Sequence, residues 1–300
     1  MCISILVYKF EAMRLICAAA FMMGAVTASA QDWAPVEAAM GRSGVSQPDS
    51  VYRFSFPRTD LEVWVRGVRV KPALALGGWI AMKQVGGGVV AMGDLVLTDD
   101  ELVPVMTRLQ QGDIDATAVH HHLLHENPRV LYMHVHGHGD PVRLAETIRA
   151  ALALTRAPPA PASPTAPAPA IDLDTAAIVA ALGRSGRVNG GVYQVSVRRA
   201  EPIRDDQFVV PPAMGVATAI NFQPVGAGHA AITGDFVLVA GEVNAVSRAL
   251  RDNGIEVTSL HNHLLDDQPR LFFMHFWAND DAVKLARGLR AALDRTNSAR

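Results

Sequence analysis

His120-His121-His122-Leu123-Leu124-His125-Glu126-Asn127-Pro128-Arg129, followed by Met133-His134-Val135-His136-Gly137-His138-Gly139-Asp140, is the most informative stretch of the chain. It returns 141 residues later as His261-Asn262-His263-Leu264-Leu265-Asp266-Asp267-Gln268-Pro269-Arg270, then Met274-His275. Between 120–152 and 261–293, 16 of 33 positions are identical. That is far above chance, so the chain is a duplication and its halves share one fold. Val51-Tyr52 recurs as Val192-Tyr193 and Gly93-Asp94 as Gly234-Asp235, at the same offset. Gly41-Arg42-Ser43-Gly44 recurs as Gly183-Arg184-Ser185-Gly186 at an offset of 142, so one residue was gained between.

Each half reads as mixed α and β. A short helix ends at the Gly-Arg-Ser-Gly turn. Strands are predicted over Val51–Phe56, Leu61–Val70, Trp79–Gln84 and Val89–Leu97, with Gly86-Gly87-Gly88 as a turn. Thr98-Asp99-Asp100-Glu101 has the form of a capping box opening a helix over Glu101–Gln110. Thr117–Leu124 and Arg129–His136 read as two strands joined by a Pro-containing turn. Asp140-Pro141 then opens a helix over Val142–Leu154, with Asp as N-cap and Pro at N1. The tail of each half is thus β-α-β-β-α. The expected fold class is α+β: two homologous repeats, each an antiparallel sheet with helices on one face.

Four segments are expected. Residues 1–30 read as an export signal: Met13-Arg14 is positive, Leu15 to Thr27 is apolar, and Ala28-Ser29-Ala30 forms a cleavage site. Residues 31–156 and 171–300 are the repeat domains. Residues 157–170, rich in Ala and Pro, read as an extended linker. The chain is expected to be exported, periplasmic or secreted. Its apolar leader is too short to span a bilayer as a stable helix. Both cysteines, Cys2 and Cys17, lie in the leader, so thiolate ligands and disulfides are excluded from the mature protein. A formal net charge of -2 leaves no basic surface for nucleic acid. No dinucleotide fingerprint, phosphate loop or G-x-S-x-G elbow is present.

Seven of the eleven histidines fall between His120 and His138. Side chains two apart on a strand share a face. His120 and His122 should therefore share a face, as should His134 and His136. Leu131, Met133 and Val135 should pack against helices. The second half repeats this with His261, His263 and His275. Imidazoles on adjacent strands suit a divalent transition metal (zinc, iron, copper or manganese). The candidate ligands are His120, His122, His134 and His136. Glu126 is the candidate catalytic residue, as general base, further ligand or orienter of an imidazole, although it could equally cap the turn, and Asp267 keeps a carboxylate at its place. His120-x-His122-x-x-x-Glu126 has the ligand spacing of a cupin motif, but the helices do not suit an all-β fold. Arg129 could grip an anionic group bidentately, but a structural salt bridge is the plainer reading. Arg58 and Asp60, in a Pro57-to-Asp60 corner read as absent from the second half, could contact a small polar ligand. A β-turn is the plainer reading. Asp94 and Asp235 read as buried hydrogen-bonding groups near a bulge, with membership of the site as the lesser alternative, and Glu101 as a cap. His121 is set aside, because Asn262 takes its place and its face is wrong.

The blocks Phe56-Pro57-Arg58-Thr59-Asp60-Leu61 and Gly93-Asp94-Leu95-Val96-Leu97, with the His-x-His-Leu-Leu…Pro-Arg…Met-His runs of both halves, resemble the LppY/LpqO-like family. That family comprises exported bacterial proteins, some of them lipoproteins, with a tandem domain of unknown function. The resemblance covers essentially the whole mature chain. It implies export and the fold, and no activity. This chain departs from the family at His121, where Asn is usual.

The functional expectation is an exported protein that binds a metal ion or small polar ligand through the His face of the first repeat. A metal-dependent hydrolase on the same cluster and a non-catalytic envelope binding or scaffolding module are the alternatives. His261, His263 and His275 are expected to form a weaker second site, unless the two faces meet and build one site together.

Overall fold

A computed structural model describes residues 31–158, 170–206 and 208–299. The leader and most of the Ala/Pro segment lie outside the described residues. Each half carries a six-stranded sheet in which every neighbouring pair is antiparallel. In the first half the strands run, in spatial order, Val45–Gln47, Val51–Pro57, Gly77–Val85, Gly88–Leu97, Leu131–Gly139 and Ile114–His120. In the second half the order is Arg187–Asn189, Val192–Arg198, Ala217–Gly226, His229–Val239, Leu271–Asp281 and Glu256–His261.

Helices Ala34–Met40, Asp99–Gln110 and Pro141–Leu152 cover one face of the first sheet, and Thr175–Leu182, Ala240–Asp252 and Ala282–Leu293 cover the matching face of the second. Local chemistry sets their ends. The Asp140 carboxylate accepts from the Arg143 N–H at 2.9 Å, and Asp281 accepts from that of Lys284 at 2.7 Å. Gly41 and Gly183 take the left-handed conformation that stops the first helix of each half. Period two then builds the core. Met133 and Val135, with Leu95 and Leu97, pack beneath Val105, Leu109, Leu144 and Ile148.

The opposite face of each sheet is also buried. Its apolar clusters mix the halves: Val96, Leu123 and Tyr132 pack with Val192, Ala231 and Trp277. Ala81 and Met92 pack with Met214, Val216, Val237 and Phe273. The two sheets thus meet on their helix-free sides, and residues 32–300 form one compact unit. Crossing hydrogen bonds fix the meeting. The Lys71 N–H donates to Gln223 Oε1 at 2.8 Å, and the Gln223 amide donates to the Arg69 carbonyl at 2.8 Å.

Three expectations are corrected. Leu61–Val70 is not one strand: Arg66 and Gly67 take positive φ values of 46° and 82°, reversing the chain between Trp64–Val65 and Val68–Arg69. That hairpin leaves the main sheet and pairs with Glu126–Asn127. The strand predicted over Thr117–Leu124 is observed as Ile114–His120, because the chain turns away through His125 (φ 60°) to reach the small sheet. The Arg58 corner is not unique to the first half. Arg199, Glu201 and Glu242 reproduce Arg58, Asp60 and Glu101 at the offset of 141.

Candidate metal centre

The strand Leu131–Gly139 places Tyr132, His134 and His136 on the helix-free face. His134 lies opposite Asp94 in one neighbour and opposite Ala118 in the other, while His120 lies opposite Tyr132. Directly opposed residues share a face. Asp94, His120, Tyr132 and His134 therefore converge, and His122 joins them as the chain leaves the strand. The second half does the same with Asp235, His261, His263, Phe273 and His275.

The two faces meet, and six imidazoles from the two halves form one cluster. His120 stacks on His261 with ring centres 3.5 Å apart. His122 stacks on His275 at 3.9 Å, and His134 on His263 at 3.7 Å. Adding 141 to His122 gives His263, and to His134 gives His275, so the last two stacks are equivalents exchanged by a pseudo-twofold axis through the first. Threonines obey the same relation. Thr117 Oγ1 donates to the His263 carbonyl at 2.5 Å, and Thr258 Oγ1 donates to the His122 carbonyl at 2.6 Å. Each half thus holds the histidine loop of the other. On the outer side, Tyr132 stacks on His122 at 3.3 Å and Phe273 on His263 at 3.4 Å.

Among the described residues, three triads bring one ligating atom per residue within 4.8 Å of one another: His120, His122 and His134; His120, His261 and His275; His134, His261 and His263. Backbone carbonyls orient several rings. His275 Nδ1 lies 2.7 Å from the Gly234 oxygen, and His263 Nδ1 lies 3.1 Å from that of Gly215. A carbonyl only accepts, so Nδ1 carries the proton and Nε2 keeps its lone pair. That is the usual support of a metal-ligating histidine. Nε2 of His120, His122, His134, His261, His263 and His275 is buried without a directed hydrogen bond, as is an oxygen of each of Asp94 and Asp235. His122 Nε2 lies 3.5 Å from Asp94 Oδ2, and His263 Nε2 lies 3.1 Å from Asp235 Oδ2.

Burial governs the protonation of the cluster. It pushes His120 and His263 down to about 3 and His275 to about 4, and it holds His122, His134 and His261 below the ordinary imidazole range. Burial raises Asp94 to about 8, helped by the neighbouring Asp235, and raises Asp235 to about 6. The imidazoles are therefore neutral at pH 7, the form that ligates metals.

The remaining predicted residues lie elsewhere. His136 Nε2 is 3.1 Å from Asp205 Oδ2 and belongs to none of the triads. Glu126 also lies outside them: it accepts from the Val130 N–H at 3.4 Å and sits 3.3 Å from His121 Nδ1, bracing the turn. Burial raises its carboxyl to about 7. Arg129 donates to His121 Nε2 at 2.7 Å, and Arg270 bonds Asp267 and the Leu264 and Leu265 carbonyls. Arg58 is buried, with all its donor nitrogens engaged by Asp60, Glu101 and the Val96 carbonyl, which leaves none for a ligand. Asp94, Asp235 and Tyr132 are the residues that sequence reading undervalued. The available signal was a Gly-Asp pair at the same mid-strand position of both halves.

The family described as Domain of Unknown Function (DUF1259) matches residues 34–154 and again 176–295. The chain belongs to that family and carries two tandem copies of its domain. No curated protein matches it. Among solved structures, the trimeric bacterial microcompartment shell protein PduB is 12% identical, with 84% of this chain and 89% of that chain covered and a TM-score of 0.21. EtuB from Clostridium kluyveri is 7% identical, covering 84% and 88%, with a TM-score of 0.20. A likeness at that level bears on neither function nor assembly. Among the described residues, no helix is long and apolar enough to cross a membrane.

Proposed function

We propose that this is an exported transition-metal-binding protein whose two halves build one shared, histidine-rich centre. One observation carries the reading: six buried imidazoles from two repeats converge with their Nε2 atoms lacking directed hydrogen bonds. Burying that many unsatisfied polar atoms is costly unless something binds them. An all-imidazole set favours zinc, copper, iron or nickel over calcium or magnesium. The leader read over Met13–Ala30 and the resemblance to LppY/LpqO-like proteins support export. The hydrolase reading needs room for a substrate. The void beside His134 and His263 measures about 10 Å³, about one water molecule, which favours a resident ion over an organic substrate.

The test is metal retention by protein purified without a histidine tag, followed by chelation and readdition of zinc. Binding to the folded state alone raises stability by about 2.7 kcal/mol at a hundredfold excess over Kd, so melting should shift upward by several degrees. Protein that retains no transition metal, and melts at one temperature with or without zinc or copper, would refute the reading.

A further inference from the structure

Resting on that metal reading, we infer that the centre holds two ions per chain, one on each side of the pseudo-twofold axis. A tetrahedral ion takes four ligands, so one ion leaves at least two of the six imidazoles buried and unpaired. Any two of the three triads share one histidine, so the division into two positions comes from the axis: it turns His134, His261 and His263 into His275, His120 and His122, and these two sets share no residue. His122 belongs only to the triad with His120 and His134, and His263 only to that with His134 and His261. No triad contains both. The axis exchanges His122 with His263, so a position beside one implies an equivalent position beside the other.

Charge follows the same division. Each position has its own carboxylate, Asp94 at 3.5 Å from His122 Nε2 and Asp235 at 3.1 Å from His263 Nε2. Two divalent ions bring four positive charges into a buried site, and the two carboxylates offset half of them. The aromatic neighbours differ. Tyr132 stacks on His122 and has a buried, unpartnered hydroxyl, whereas Phe273 stacks on His263 with no polar atom. The two positions are thus alike in their imidazoles and carboxylates and distinct in the Tyr132 hydroxyl, which only the first has beside it.

Native mass spectrometry of the full chain, loaded with zinc alone and freed of excess metal, reads the stoichiometry directly. Two ions per chain are expected for the parent, one for His122→Ala and one for His263→Ala. His122→Gln and His263→Gln, with melting followed in parallel, separate loss of an ion from loss of the fold. One ion in the parent overturns the two-position inference and leaves the metal reading standing. None in the parent overturns both. Loss of both ions from either folded single variant would overturn the division into two positions.

Discussion

Gly234 shows how closely the strands must approach behind the histidine cluster. A Cβ there would lie 1.9 Å from the Ala219 carbonyl oxygen and 2.9 Å from the Phe276 ring. The Gly234 carbonyl also receives the Nδ1 proton of His275, so one backbone position serves both packing and ligand orientation. Gly93 is its counterpart, where a Cβ would lie 2.4 Å from Ile80 Cδ1 and 2.5 Å from the Trp79 carbonyl. Gly234→Ala should cost about 3 kcal/mol, the upper range for overpacking, and Gly87→Ala should be nearly neutral because nothing lies within 4 Å of its added methyl. Chemical denaturation checks both; equal stability of the two variants would contradict the close approach. At this scale the sequence was informative about type and poor about role. The Asp of the Gly-Asp pair reads first as a buried hydrogen-bonding group near a bulge, because a carboxylate in mid-strand gives no sign of what faces it. His136 was grouped with His134 by alternation. The shared face runs past the end of the cluster, and there His136 meets Asp205 instead.

At the scale of the element, a buried ion-pair triad ties a strand end to a helix start in each half. Burial alone would raise Glu101, but hydrogen bonds from Arg58 and from the Arg156 and Thr98 N–H groups outweigh it and hold the carboxyl below its ordinary value. Glu242 is held down in the same way by Arg199 and by the Val239 and Asn297 N–H groups, again against burial. A depressed folded-state value means that the stability contributed by the group is present above the unfolded pKa, about 4.3. It is lost as pH falls through the folded value. Glu101→Gln should therefore cost about 2 kcal/mol at pH 7. Its deficit relative to the parent should shrink below about pH 4, where the parent's own carboxylate takes up a proton. Denaturation midpoints from pH 7 to pH 3 test this, and a deficit independent of pH would exclude an ionised Glu101 as the source. Capping signals exposed the helix start at Thr98–Glu101 in the sequence. The arginine partner was hidden because it is 43 residues away.

In the whole molecule, the inner face of each sheet is covered by the other half. Among the described residues, two of the four apolar clusters draw residues from both halves, and the histidine cluster lies between them. The halves should then unfold together. Calorimetry of the metal-free chain should give a single transition whose calorimetric and van't Hoff enthalpies agree. Two resolved transitions would show instead that the interface contributes little. Residues 31–156 expressed alone should fail to form a stable monomer, because Val96, Leu123 and Tyr132 would lose their cover.

The duplication, the antiparallel sheet with helices on one face, and the convergence of His120 with His134 were all decided by the sequence alone. Each depends on local quantities: the offset of 141, the period of two along a strand, and caps within four residues of a helix end. Tertiary structure alone decided that the first and second histidine faces form one centre, and that Asp94, Asp235 and Tyr132 belong beside it. Alternation assigns a residue to one side of a sheet but does not say whether water or a second sheet lies beyond. That depends on the summed burial of the two inner faces, to which residues more than a hundred positions apart contribute.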